Sequence, residues 1–334
     1  MSTILGNPIT LGGGGGLELV ANVETGATVT ATLGSKTVTG VSVGGQARLK
    51  IPQEGKWTVS ATSGAQVSIP QIISVPATID ITLVSPELND ASWMEIKQIS
   101  DAGNGANFWS VGDCKQITMN GKVSDGLTIT NYSAWVYIIG FNHNAEREGN
   151  GIAFQGFKAT KNGTDVCLVD SVYGSKKTSG TWFIMETSDV NYGGWSSCVI
   201  RSKVMPLIKA AFPSDLQTVI KTSTIYTDNK GDQSGDVVPT TTQDDVFLLA
   251  EYEIFGANTN ATKKEANYLK QYTYYAAGNS KVRYKHSNTT STALWFARSP
   301  RARYGNSFCA VYDNGASSFS ISNYSRGVAP CFKV

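Results

Sequence analysis

Charge is what this sequence has least of. Only 16% of its 334 residues are Asp, Glu, Lys or Arg, the formal net charge is +2, and no block of Lys and Arg occurs. Phosphate recognition needs clustered cations, so no nucleic-acid partner is expected. Histidine is almost missing, with His143 and His286 the only two. A zincin-type metal site needs two histidines one helical turn apart, and that spacing does not occur. The five cysteines (Cys114, Cys167, Cys198, Cys309, Cys331) are widely spaced and form no CxxC. They read as buried thiols of a protein folded in a reducing compartment, not as a disulfide framework. No apolar run reaches membrane-spanning length, so no membrane insertion is expected. The opening "MSTILGNPITLGGGGG" has neither a basic n-region nor a long apolar h-region, and no secretion signal is expected. Serines are plentiful, but no nucleophile elbow is expected: the one G-x-S-x-G string, Gly40 to Gly44, lies among short Thr/Val-rich runs with no helix pattern after it, and neither histidine has an evident nucleophile beside it.

Hydrophobic content of 41% and 10% aromatics is enough for a buried core, and the length allows two or three domains. The predicted fold class is α+β in two domains. Residues 1–16, with five glycines at 12–16, read as a flexible lead-in that lacks the strand and helix of a phosphate loop. Residues 17–86 consist of short Thr/Val/Ile-rich runs such as "TVTATLG", "QARLKIP" and "KWTVSATS", separated by turn residues. That alternation predicts a small β-sandwich anchored on Trp57. The segment "IPQEGKWTVSATSG" resembles immunoglobulin-like and prealbumin-like bacterial modules, which implies a spacer or attachment role.

"SPELND" (85–90) breaks the pattern, and six of the seven tryptophans follow it. Over 90–334, "WVYIIGFNHN" reads as a buried strand. The segment around Pro206 and Pro213 reads as two short helices, "DDVFLLAEYEIFG" as a strand, and "KKEANYLKQYTYYAAG" as a helix with a glycine stop. Candidate chemistry is thin. His143 lies near Glu146 and Glu148 but reads as a polar loop. Asp228, Asp232 and Asp236 miss the calcium-loop spacing and read as a solvated hairpin tip. Asp189, Asp244 and Asp245 carry no glycosidase pattern. No metal and no cofactor are expected.

The closing stretch is unusual for what it omits. Between Trp295 and Lys333 there is no Lys, Glu, Gln, Met or Trp, and the next longest stretch free of those five, Ser2 to Leu17, is far shorter. Tyr, Ser, Asn, Asp, Arg and Gly remain, an alphabet suited to recognition because Tyr offers large contact area at low entropy cost. The pattern "ANFWSVGDCKQITMNG…GGWSSCVIR…WFARSP…FCAVYDNG…RGVAPCF" resembles C-type-lectin-like, formylglycine-generating-enzyme-type variable proteins of diversity-generating retroelements and related gut prophage and phage tail proteins. The resemblance implies a lectin-like domain over 90–334 with a variable region at 296–332, copied from a template with adenines randomised. Asn codons ending in a pyrimidine would then leave an alphabet without Lys, Glu, Gln, Met and Trp. A polar phage-protein surface with no such copying gives a similar alphabet.

On that resemblance Trp295, Arg298, Phe308, Val311, Gly315, Gly327, Val328, Pro330 and Phe332 are framework, with Arg298 buried and hydrogen-bonded. Arg301, Arg303, Tyr304, Asn306, Tyr312, Asn314, Ser318, Phe319, Asn323 and Tyr324 fall between them and are expected to face a ligand. Alternation leaves Tyr312 and Phe319 open as core residues. The implied partners are a bacterial surface protein or glycan and, through the first domain, other tail proteins. Receptor binders of this class resemble homotrimers, and the implied location is the virion. Two other readings stand beside it. One is an enzyme like the formylglycine-generating enzyme, for which Cys309 and Cys331 form the only C-terminal pair, in apolar surroundings where thiols are usually inert. The other is a tail or baseplate component without ligand.

Overall fold

A computed structural model describes residues 16–231 and 235–334; the glycines at 12–15 and Asp232 lie outside the described residues. The chain divides into two units between Pro86 and Glu87, within the 85–90 break.

In the first unit, period-two alternation becomes burial directly. Strand Gln46–Ile51 buries every second residue, and Lys56–Ser63 does so over most of its length. One sheet orders the strands Gln46–Ile51, Leu17–Asn22 and Ala77–Asp80, the last pair parallel. A second, antiparallel sheet runs Lys36–Val41, Thr28–Leu33, Lys56–Ser63, Gln66–Ser68 and Leu83–Val84. Leu19, Ala47 and Leu49 from the first sheet share one core with Val29, Trp57 and Val59 from the second. Trp57 is fully buried and donates its indole N–H to the Gln53 carbonyl at 3.2 Å. Burying an aromatic of that size removes roughly 150–250 Å² from water, about 4–6 kcal/mol of transfer free energy.

The second unit is strand-rich and mixed, with several antiparallel sheets and short helices. Its main sheet orders Cys114–Ser124, Leu127–Phe141, Ile152–Lys158, Cys331–Lys333 and Val246–Phe247. Phe332 lies opposite Phe154 in register and stacks on it at 5.4 Å, and Trp93 meets both edge-on. Trp93 opens helix Trp93–Asp101, which Ser92 and Glu95 start with a reciprocal capping box. Met205–Ala211, with Pro206 in its first turn, and Ser214–Val219, after Pro213, are the two short helices expected there.

Several expectations for this unit require correction. Strand covers only the start of the "DDVFLLAEYEIFG" run, at Asp244, which ends strand Thr240–Asp244, and at Val246–Phe247; Glu251–Phe255 is a helix. Glu253 accepts from the Ala250 N–H at 2.8 Å at its start, and Gly256, at φ +67°, closes it. The segment 263–276 is not one helix but a 3-10 turn (Lys263–Asn267) and a short helix (Thr273–Ala276). Between them the Tyr272 N–H donates to Glu253, which draws the chain back to the preceding helix. Asp228 is not on a solvated tip: it is 1% exposed and accepts from the backbone N–H groups of Lys230 and Gly231. His143 is buried and stacked on Tyr272 at 3.6 Å, not in a polar loop.

Candidate functional site

The strands Trp295–Pro300, Ser307–Val311 and Ser317–Ile321 form a three-stranded antiparallel sheet. Its middle strand is buried at every position, so no alternation separates in from out there. Trp295, Arg298, Phe308, Val311, Val328 and Phe332 are all fully buried. Gly327 has a steric cause: a Cβ there would fall 2.5 Å from the Cys167 sulfur and 3.0 Å from the Trp295 Cβ. Gly315, at φ +87°, closes the turn between the last two strands.

Arg298 uses all five of its N–H groups beneath this sheet. It pairs both oxygens of Glu253 at 2.6 and 2.9 Å and donates to the Leu248 and Tyr226 carbonyls and the Thr227 hydroxyl. Burial alone would raise the Glu253 carboxyl, but the guanidinium outweighs it and holds that carboxyl below its ordinary value.

The turn from Arg301 to Asn306 carries the exposed groups. The Arg301 guanidinium carbon lies 3.5 Å from the Tyr304 ring centre and 3.3 Å from that of Phe319, so both of its faces are covered by rings. Tyr304 is 51% exposed and Phe319 40%. Arg303 stands at φ +66°, a left-handed conformation that costs a non-glycine residue on the order of 1 kcal/mol. Beside the turn is a cavity of about 320 Å³ whose walls include Lys263, Arg301, Arg303 and Tyr304.

Residues that the sequence did not single out build this turn. Asn191 is fully buried, and its side-chain amide donates to the carbonyls of Tyr304 and Ser307, both at 2.8 Å. On the other flank the Ala302 N–H donates to the Asn260 carbonyl at 2.9 Å. Glu251, buried behind that loop, fixes it: its carboxylate accepts from the N–H groups of Asn260 and Ala261, the Asn260 side chain and the Ser317 hydroxyl. No local signal marks Asn191, which acts across more than a hundred residues of chain.

The expected face therefore assembles only in part. Arg301, Arg303, Tyr304 and Phe319 come together, and Asn306 is exposed at the end of the same turn. Tyr312 and Asn314 are exposed in the other turn of the meander, at the opposite end of a five-residue strand, some 14 Å away by strand rise. The Asn314 side chain accepts from the Ala316 N–H within its own turn. Ser318 and Tyr324 are half-buried. Asn323 does not face outward: it is 1% exposed, and its carbonyl accepts from the Lys177 N–H.

The other candidates resolve into paired or buried groups. Asp189 pairs with Lys176, Asp244 with Arg201 and Asp245 with Lys209. Cys309 and Cys331 are fully buried, and burial pushes both thiols well above their ordinary value, away from the reactive thiolate. His143, Glu148 and Glu253 place ligand-type atoms within 4.8 Å of one another. Each of the two carboxylates already has its own buried cation, Lys333 at 2.6 Å from Glu148 and Arg298 on Glu253. Burial holds His143 neutral, pushing it down to about 4. A divalent ion would have to displace or face two fixed positive charges, so this donor set suits a balanced ion-pair cluster.

Residues 179–334 match the model of a domain of unknown function, DUF6273. The match covers just under half of the chain and contains the whole three-stranded sheet, Asn191 and Glu251. No curated protein and no solved structure matches the chain.

Proposed function

We propose that the protein is a receptor-binding protein of a phage or phage-like tail. Its second unit would be a lectin-like domain whose Arg301–Asn306 turn recognises a bacterial surface ligand, and its first an immunoglobulin-like spacer or attachment module. The observation that carries this reading is the Tyr304–Arg301–Phe319 stack. Two half-exposed aromatic rings and an arginine meet where a turn clamped by buried polar residues abuts strand Ser317–Ile321, and Tyr and Arg are among the residue types most favoured at binding hot spots. The restricted alphabet of 296–332 supports it, because the ligand-facing positions of the Arg301–Asn306 turn lie between the buried framework strands Trp295–Pro300 and Ser307–Val311.

The test is binding to bacterial cells by the full chain. Tyr304→Ala combined with Phe319→Ala should abolish binding with a small change in melting temperature, while Tyr312→Ala, in the opposite turn, should retain it. Full binding by the double variant sinks the assignment. So does burial of 301–306 against a neighbouring subunit in an assembled particle, which would favour a structural tail component.

A further inference from the structure

We propose that the Arg301–Tyr304 turn binds an acidic saccharide, with the carboxylate or phosphate oxygens of the sugar held in the plane of the Arg301 guanidinium. The inference rests on the receptor-binding reading and names the ligand class of the same face. A guanidinium covered by a ring on each side has only its N–H edge left, and that edge matches two oxygens of an oxyanion side by side. Among the described residues, neither Arg301 nor Arg303 has a carboxylate or a side-chain hydrogen-bond partner. Arg298, three residues before Arg301, has every N–H occupied. The stacking also fixes the side chain in advance, so less freedom is lost when a ligand arrives.

The cavity beside the turn carries the same sign. Lys263, Arg301 and Arg303 line it, with no carboxylate among its described lining residues. Asp236, nearby in sequence, pairs with Lys264. Glu251, behind the loop, already accepts from four N–H and O–H groups and from the Cys309 thiol. At about 320 Å³ the cavity stands at the small end of ligand pockets and admits one compact polar unit. A protein ligand would need a broad apolar centre, and here one face of each exposed ring is already covered by Arg301. A sugar bearing one acidic group fits the size and the charge together. Arg303 adds a second cation from a backbone conformation that glycine would hold more easily.

The experiment is calorimetric titration of the full chain with oligogalacturonate, a glycerol-phosphate oligomer, neutral maltohexaose and a polyglutamate peptide. The wild type should bind one or both acidic saccharides, the stronger arm identifying carboxylate or phosphate, and affinity should fall as salt rises. Arg301→Lys keeps the charge but loses the planar fork, so it should weaken binding about tenfold or more. Arg303→Gly should weaken binding several-fold with an unchanged or higher melting temperature. The inference is overturned if neither acidic saccharide binds, if maltohexaose binds equally well, if polyglutamate binds in their place, or if Arg301→Lys keeps full affinity. Cell binding that persists in the absence of saccharide binding removes this inference alone. Cell binding that survives Tyr304→Ala with Phe319→Ala removes the receptor-binding reading beneath it.

Discussion

Arg298 and Arg301 stand three residues apart in one strand-and-turn segment, and the structure assigns them opposite consequences. Arg298→Ala removes five donors at once. It leaves Glu253 as a buried carboxylate without its cation, and it strips partners from the Leu248 and Tyr226 carbonyls and the Thr227 hydroxyl. Deleting one partner of a buried pair costs roughly 3–5 kcal/mol, and the freed carbonyls place this case toward the upper end. In a unit of this size each kcal/mol moves the melting temperature by about 2–4 °C, so its transition should fall by on the order of 10 °C or more. Arg301→Ala loses only its contacts with two half-exposed rings, about 0.5–1 kcal/mol each, and should move the transition by about 2–8 °C. Scanning calorimetry of the two variants in the full chain compares them. Equal shifts, or a larger one for Arg301→Ala, would refute the division into framework and contact arginines. A further arm uses Arg298→Met together with Glu253→Met. Replacing both charges by apolar groups of similar length should recover more than half of the loss, because no unpaired charge stays buried.

Three other outcomes follow from the same physics. Burial pushes the Glu265 carboxyl up to about 8 from an ordinary 4.5, so the folded state holds a proton that the unfolded chain releases. Stability should therefore fall as pH rises from about 4.5 to about 8, and urea titrations of Glu265→Gln should show a weaker dependence across that window. Asn191→Ala removes the amide that holds the Tyr304 and Ser307 carbonyls, and should cost about 2 kcal/mol while weakening ligand binding more than Tyr312→Ala does. Zinc or calcium, added at tenfold excess and then removed by chelator, should leave the melting temperature within a degree, because Lys333 and Arg298 already balance Glu148 and Glu253. A clear rise with metal would show that His143, Glu148 and Glu253 coordinate an ion after all.

The sequence made legible whatever depends on nearest neighbours along the chain. Alternating Thr and Val runs produced the first unit's strands, prolines marked the two short helices, and the framework positions around Trp295, Phe308 and Phe332 are all core. The helix at Glu251–Phe255 was illegible because "VFLLAEYEIF" is apolar enough for either structure. The decision rests on where Glu251 and Glu253 find partners, in Asn260, Ala261, Ser317 and Arg298. The candidate face was half legible for a related reason. Alternation separates inward from outward positions but says nothing of which end of a strand a turn occupies. Tyr304 and Tyr312 therefore looked equivalent in sequence and are separated by the topology of the meander. Asn323 shows the same limit: a polar residue among polar neighbours reads as surface, yet it is packed inside.

Strand Cys331–Lys333 enters the main sheet between Ile152–Lys158 and Val246–Phe247, downstream of Tyr324, the last of the expected contact positions. A stop codon or frameshift anywhere in 296–330 would delete the middle of that sheet. It would also remove the ammonium of Lys333 from buried Glu148 and leave two strand edges open. Such a product would expose unpaired backbone and fail to close its core, making it a target for proteolysis or aggregation. The architecture thus ties stability to the reading frame: only chains translated through 296–330 to strand Cys331–Lys333 can close the main sheet.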